Sequence, residues 1–231
     1  VTRLKIDPKL LYVTVYKGNP NLNLPEDTES IEAWLKVGVP RDRIIALGED
    51  NFWGPAGESG PCGPCTEVFY DTGDANGPAY VPGGHFDDVN RYIEIWNAGV
   101  FMEFNKASDG TFSKLPLKSV DTGSGLERMA MALNGHDSVY ETDLLLPIIE
   151  GTAKIFPDIQ LKQQDFRIIA DHLRSITMIS FDGVSFGNEG REYIPRKLIR
   201  RCIALLNDTD KLQEKLLQLF NITLETMAPV I

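Results

Sequence analysis

Val120-Asp121-Thr122-Gly123-Ser124-Gly125-Leu126-Glu127-Arg128 reads as a strand that ends, a glycine turn, and a helix that begins. Residues 117–121 carry the strand. Residues 125–133 carry the helix, closed by Asn134-Gly135, a pair suited to a left-handed C-terminal cap. Two glycines in the turn let backbone approach a ligand closely, and a helix N-terminus offers unpaired N–H groups to an anion. Arg128 is then a permanent cation near that end, able to pair with a phosphate or stack on a base. Asp121, at the strand end, can hold an ammonium group. The same letters also read as a capping box, Ser124-x-x-Glu127, with glycines that only make the turn. The turn alone leaves both readings open.

Working upstream, residues 10–16 alternate β-branched and aromatic side chains and predict a strand. Residues 28–37 predict a short helix packing through Ile31, Trp34 and Leu35. A loop dense in glycine and proline follows (Gly54, Pro55, Gly57, Gly60, Pro61, Gly63, Pro64), which is either a rigid site-forming turn or a linker. The strand Val68-Phe69-Tyr70 behind it favours the turn. Residues 73–88, with Gly83-Gly84, read as loop. Residues 91–106 read as one long strand or a bent pair, with Gly99 as the bulge.

Past about residue 150 the apolar spacing turns helical. A boundary falls within 151–163, giving an α+β domain over 1–155 and an all-helical domain over 156–231. Phe166, Ile169, Leu173 and Ile176 make one apolar stripe, while Arg167, Asp171 and Arg174 share another face. A second helix over 191–203 buries Ile194, Leu198, Ile199 and Cys202 and displays Arg196, Lys197, Arg200 and Arg201. Pro195 fits only a first turn, so this helix starts later than the pattern implies. Five cations between residues 191 and 201, in a chain of net charge -10, suggest a polyanion partner. The alternative is a solvated basic face.

The acidic balance argues against non-specific nucleic-acid binding by the whole surface. No apolar run approaches the roughly 18 residues of a membrane span, and Val1-Thr2-Arg3 opens no secretory segment, so the expected address is the cytoplasm. Three cysteines cannot build a disulfide framework. Cys62-Gly63-Pro64-Cys65 offers two of the four ligands zinc wants, with His85 the nearest third. It also precedes a strand, whereas a redox C-x-x-C opens a helix. No zinc is expected.

The turn with Arg128 resembles motif 3 of class II aminoacyl-tRNA synthetases, and its wording resembles the alanyl branch of that family. Three further segments agree in the family's order: Asn51-Phe52-Trp53 with Gly60-Pro61-Cys62-Gly63-Pro64-Cys65-Thr66-Glu67; Arg91-Tyr92-Ile93-Glu94-Ile95-Trp96-Asn97 with Val100-Phe101-Met102; and Asp171-His172-x-Arg174 with Asp182-Gly183, Asn188-Glu189-Gly190-Arg191 and Arg200-Arg201. Coverage runs from about Leu11 to Cys202. The resemblance implies a class II catalytic domain with an antiparallel sheet, present in part, and a tRNA-recognition region. It implies activation of alanine with ATP and Mg2+, then transfer to the acceptor stem of tRNA(Ala).

By that resemblance Asp121 binds the amino group of alanine, and Arg128 clamps ATP. Trp53 lines a pocket sized for a methyl group, unless it is plain core. Asn97 and Val100 lie beneath the amino acid, Gly123 leaves the methyl room, and Gly123, Gly125 and Glu94 join the nucleotide site, Glu94 by helping to hold magnesium. Arg174, Asn188, Arg191, Arg200 and Arg201 contact tRNA. Strict alternation opposes part of this, because it sets Glu94 and Trp96 on one sheet face and Asn97 on the other. If Glu94 and Asn97 serve one ligand, something between them breaks the pleat. Glu192, Pro195 and Lys197 depart from the family pattern. Motifs 1 and 2 lie upstream of the matched segments, and Arg3, Arg41 and Arg43 sit in the wrong context to replace the motif 2 arginine. The expectation is a piece of a synthetase that is inactive alone. The competing readings are a truncated paralogue that binds tRNA or protein, and a metal or redox protein built on Cys62 and Cys65.

Overall fold

Alternating branched and aromatic residues make Leu11–Tyr16 (β1) a central strand of the N-terminal unit. In the computed structural model, which describes residues 3–81, 86, 91–206 and 211–230, the chain divides into the units Val1–Asp137 and Ser138–Ile231. In the first, Ile44–Leu47 (β2), β1, Gly60–Asp71 (β4), Tyr92–Lys106 (β5) and Phe112–Ser124 (β6) lie side by side in that order, and Phe52–Trp53 (β3) pairs with β4. All pairings are antiparallel except β1 with β2. The class is α+β, with one parallel edge pair added to the antiparallel sheet by β2, a segment to which the sequence reading assigns no element.

The largest departure from the sequence reading is β4. The glycine- and proline-dense segment is strand from Gly60 onward, not a loop or a turn behind Trp53. Proline and glycine are admitted because the ladder is irregular there, with a register shift between Cys62 and Cys65. Gly63 is required by a close approach: a Cβ on it would stand 1.7 Å from the carbonyl oxygen of Phe101.

Thr28–Lys36 (α1) is capped by Asp27, whose carboxylate accepts from the Ser30 N–H at 3.0 Å. Its Trp34 indole donates to Thr66 Oγ1 at 2.8 Å, and Thr66 donates to the Thr14 carbonyl at 2.6 Å. That chain ties α1 to β4 and β1. Leu35, expected inside, is 44% exposed, because Trp34 and Ile31 already fill the contact face. Leu126–Asn134 (α2) follows β6 directly and ends on Gly135 at φ 68, as the Asn-Gly pair predicts. At the start of β5, Tyr12, Phe69, Phe86 and Tyr92 form an aromatic cluster. Beside it the buried Arg91 guanidinium donates to both Asp71 carboxylate oxygens and to Asp74. These contacts fix where β5 starts.

The second unit holds Leu146–Ile155 (α3), Gln163–Phe181 (α4), Tyr193–Leu205 (α5) and Leu212–Met227 (α6). Its core is Leu145, Ile148, Ile169, Leu173, Cys202, Leu206 and Leu219, among others. The α4 stripe is buried at Ile169, Leu173 and Ile176, and Phe166 is half-buried. Helix α5 begins at Tyr193 and accommodates Pro195 in its first turn, where Pro195 is buried. Ile194, expected inside, is 50% exposed; with Pro195 on the buried side, its neighbour turns outward. The sequence reading divides the chain at 155–156, so that α3 goes with the sheet; the compact units part at Ser138, so that α3 goes with the helices. None of the described helices is long and apolar enough to cross a membrane.

Gly63→Ala should lower the unfolding free energy by about 2–3 kcal/mol, the upper part of the usual overpacking range, read from urea unfolding of the 231-residue chain. All three cysteines are buried, and burial pushes each thiol up, Cys202 to about 12. A raised thiol pKa keeps the unreactive protonated form at pH 8. Iodoacetamide at that pH should therefore modify native thiols far more slowly than urea-unfolded ones; equal rates would contradict the burial.

Candidate active site

The geometry of β5 decides which side chains meet. On β4 the residues run without interruption, so Cys65, Glu67 and Phe69 share one face by simple alternation. Opposite them stand Val100, Asn97 and Glu94, three residues apart where regular pairing would set them two apart. Register shifts between Thr66 and Glu67 and between Val68 and Phe69 mark two extra residues on β5, Ala98 and Ile95. Each extra residue is a bulge that returns the next side chain to the same face. The pleat is therefore broken between Glu94 and Asn97, as a common ligand requires. The bulge predicted at Gly99 lies within the irregular stretch between Asn97 and Val100.

Strand β6 continues the same face. Asp121 stands opposite Val100, and Gly123 stands opposite Asn97. Directly opposed residues project on one side of a sheet, so Glu67, Glu94, Asn97, Val100, Asp121 and Gly123 line a single surface. Val100 is buried and Asp121 is exposed. A Cβ at Gly123 would meet nothing within 4 Å. Neither packing nor backbone strain demands glycine there, and the missing side chain leaves open space above Asn97.

Hydrogen bonds order the floor of this surface. Asn97 Nδ2 donates to Glu67 Oε1 at 3.2 Å, and the Cys65 thiol donates to the same oxygen at 3.5 Å. Asn51 Nδ2 donates to Thr14 Oγ1 at 2.8 Å and to the Cys65 carbonyl at 3.1 Å. Burial and the Glu67 carboxylate push the Cys65 thiol well above its ordinary range, so it serves as a weak donor, not a nucleophile. Cys62 packs in a separate cluster with Tyr16, Leu24 and Phe104. Metal or redox chemistry at Cys62-x-x-Cys65 finds no support in these surroundings; His85 lies outside the described residues.

The glycine turn differs from the capping-box reading. Ser124 Oγ donates to the Ile95 carbonyl at 2.8 Å, across to β5, and α2 has Gly125 as its N-cap with no side-chain cap. Ser124 secures the bulge at Ile95 and does not cap the start of α2. Arg128, in the first turn of α2, folds back over Gly125, where a Cβ would stand 3.1 Å from Arg128 Cδ. Its Nη1 donates to the Glu94 carbonyl at 2.9 Å and to Glu94 Oε2 at 3.1 Å. Both side chains remain partly exposed. Arg128 and Asp121 thus flank the row formed by Glu94, Asn97 and Val100, a cation at one end and a carboxylate at the other. Trp53 sits opposite Gly63 on the β3–β4 pair, 40% exposed, and makes none of the hydrogen bonds that join the rest of the group.

In the helical unit Arg191, Arg196, Lys197, Arg200 and Arg201 are all exposed on or just before α5. Arg196 donates to Asn188, and Arg174 stands 3.7 Å from Asp171. Sequence reading missed two members of the sheet site, Asn51 and Glu67. Alternation along β4, which puts Glu67 on the Cys65 face, was the signal available for the second. For Asn51 the sequence carries no comparable signal, since its place depends on the turn before β3.

Two comparisons with known proteins bear on this arrangement. The family model described as tRNA synthetases class II (A) matches residues 1–231. An alanine–tRNA ligase of Rubrobacter xylanophilus is 43% identical over 211 residues, which is 86% of this chain and 24% of that protein. The chain therefore spans about a quarter of the length of that curated relative. A sheet whose bulged strand aligns Glu94, Asn97 and Val100 with Asp121 and Arg128, taken with these matches, makes the chain a member of the class II (A) tRNA synthetase family.

Proposed function

We propose that this chain forms part of an alanine–tRNA ligase, supplying the amino acid and nucleotide side of the activation site and part of the surface that receives the tRNA acceptor stem. The observation that carries the reading is the shared face of Asn97, Val100, Asp121 and Gly123. Asp121 and Asn97 offer oxygen acceptors to the ammonium of an amino acid, and Val100 and the empty position at Gly123 suit a side chain no larger than methyl. Such a pocket rejects larger side chains by bulk and a near-isostere weakly.

For the nucleotide, the fitting features are Arg128 and the start of α2, which has no side-chain cap; together they offer a guanidinium and the positive end of a helix dipole to phosphate. Glu94 is the carboxylate beside them and is the residue that would hold magnesium, whose role is to neutralise phosphate charge. The reaction is attack of the alanine carboxylate oxygen on the α-phosphorus, with pyrophosphate leaving. The ribose hydroxyl at the tRNA terminus then takes the alanyl group and releases AMP. The protein's part is to hold these groups in line.

The isolated 231 residues do not complete that site in this reading. Arg41 donates to the Ile44 carbonyl at 2.9 Å, and Arg43 donates to the Leu11 carbonyl at 3.2 Å while lying over the Tyr12 ring. Both are spent on the scaffold, so neither replaces the arginine expected of motif 2. Alanine-dependent ATP–pyrophosphate exchange should be absent from the isolated chain and present in the intact protein; turnover by the isolated chain would refute this division of labour. In the intact protein, Asp121→Ala should weaken a non-hydrolysable alanyl-adenylate analogue by roughly 10- to 100-fold in calorimetry, the range for a hydrogen bond to a charged group.

Arg200 and Arg201 of α5, Arg174 of α4, and Asn188 and Arg191 before α5 make the contact set proposed for tRNA. Phosphate contacts position the RNA, and Asn188 is the amide able to read a base edge. Arg200→Ala and Arg201→Ala should each weaken tRNA binding and reduce the slope of log affinity against log salt by about 1. Unchanged slopes would assign these residues to a solvated face.

A further inference from the structure

We infer that Glu67 is a positioning residue for amino acid recognition: it turns the Asn97 amide so that oxygen, and not nitrogen, faces the bound ammonium. The inference rests on the activation-site reading above and adds a residue to it that contacts no substrate itself.

The orientation follows from donor and acceptor chemistry. A carboxylate only accepts hydrogen bonds, and Glu67 Oε1 lies 3.2 Å from the Asn97 amide nitrogen. With the nitrogen held there, Asn97 Oδ1 must point elsewhere. That oxygen is buried and has no hydrogen-bond partner among the described residues. A buried acceptor left without a donor carries a desolvation penalty that a ligand N–H would recover. Across the sheet, Gly123 opposite Asn97 leaves the space open, and Asp121 stands next along the same face. One Asp121 oxygen accepts from the Thr122 N–H at 2.8 Å, which fixes the carboxylate. An exposed carboxylate and an unpaired amide oxygen on one face suit a primary ammonium, which offers three N–H donors and accepts nothing.

Glu67 is itself held. The Cys65 thiol donates to the oxygen that Asn97 uses, and Asn51 holds the Cys65 carbonyl. Without the carboxylate, the amide can rotate and present its NH2 to the ammonium, donor against donor. Nucleotide contacts through Arg128 stand at the other end of the row and involve Glu94, so loss of Glu67 should act on the amino acid and spare ATP.

The test is pyrophosphate exchange in the intact protein, comparing Glu67→Met and Glu67→Gln with the unmodified protein. Glu67→Met removes the acceptor at similar length and should raise KM for alanine roughly 10- to 100-fold with KM for ATP unchanged. Glu67→Gln keeps an acceptor oxygen and should recover much of that loss. If neither variant raises KM for alanine, or if both raise the two KM values together, Glu67 is structural and the inference is overturned. Absence of alanine-dependent exchange in the unmodified protein would instead overturn the activation-site reading itself.

Discussion

Everything at the sheet surface depends on two extra residues in β5. Ile95 and Ala98 stretch the spacing of Glu94, Asn97 and Val100 to three while the partner residues on β4 keep a spacing of two. Without the extra residues, Glu94 and Asn97 would fall on opposite faces, and Arg128 and Asp121 would have no common row to flank. A bulge interrupts ladder hydrogen bonds, and the chain meets that need with Ser124, whose hydroxyl donates to the Ile95 carbonyl. Thr122 Oγ1 does the same for the Asn97 carbonyl at 2.8 Å. The glycine turn therefore has a structural duty on β5 before it has any duty toward a ligand.

Around that strand the scaffold is rigid where the row needs it. The Arg91–Asp71 pair and the aromatic cluster hold one end of β5, and the close contact of Gly63 with Phe101 holds the middle. Polar groups on the row are locked by neighbours: Asn97 by Glu67, Arg128 by Glu94, Asp121 by its own following N–H. Side chains held in advance lose little freedom on binding, which favours recognition of a small ligand.

Much of this was legible in the residues. Hydrophobic alternation located β1, β5 and the end of β4, and the apolar stripe on α4 packs as its period requires. With Glu94 and Asn97 assigned to one ligand by the family resemblance, their positions imply a broken pleat. What could not be read was its place, because a bulge is a property of two strands and depends on the partner's register. Gly60 to Cys65 read as loop for a related reason: glycine and proline disfavour strands locally, and only the close packing against β5 overrides that preference. Ser124 read as a cap because its reach to Ile95 spans two strands. Leu35 and Ile194 failed as core residues because an apolar side chain next to a larger or stiffer one can be displaced to the surface.

In the proposed function an amino acid lies on this face with its ammonium between Asn97 and Asp121. A crystal structure of the intact protein with a non-hydrolysable alanyl-adenylate analogue measures it directly. The predicted result is an ammonium nitrogen within hydrogen-bond reach, about 2.7–3.2 Å, of both Asn97 Oδ1 and an Asp121 carboxylate oxygen. An analogue bound away from this row, or with its ammonium turned from Asn97, would contradict it.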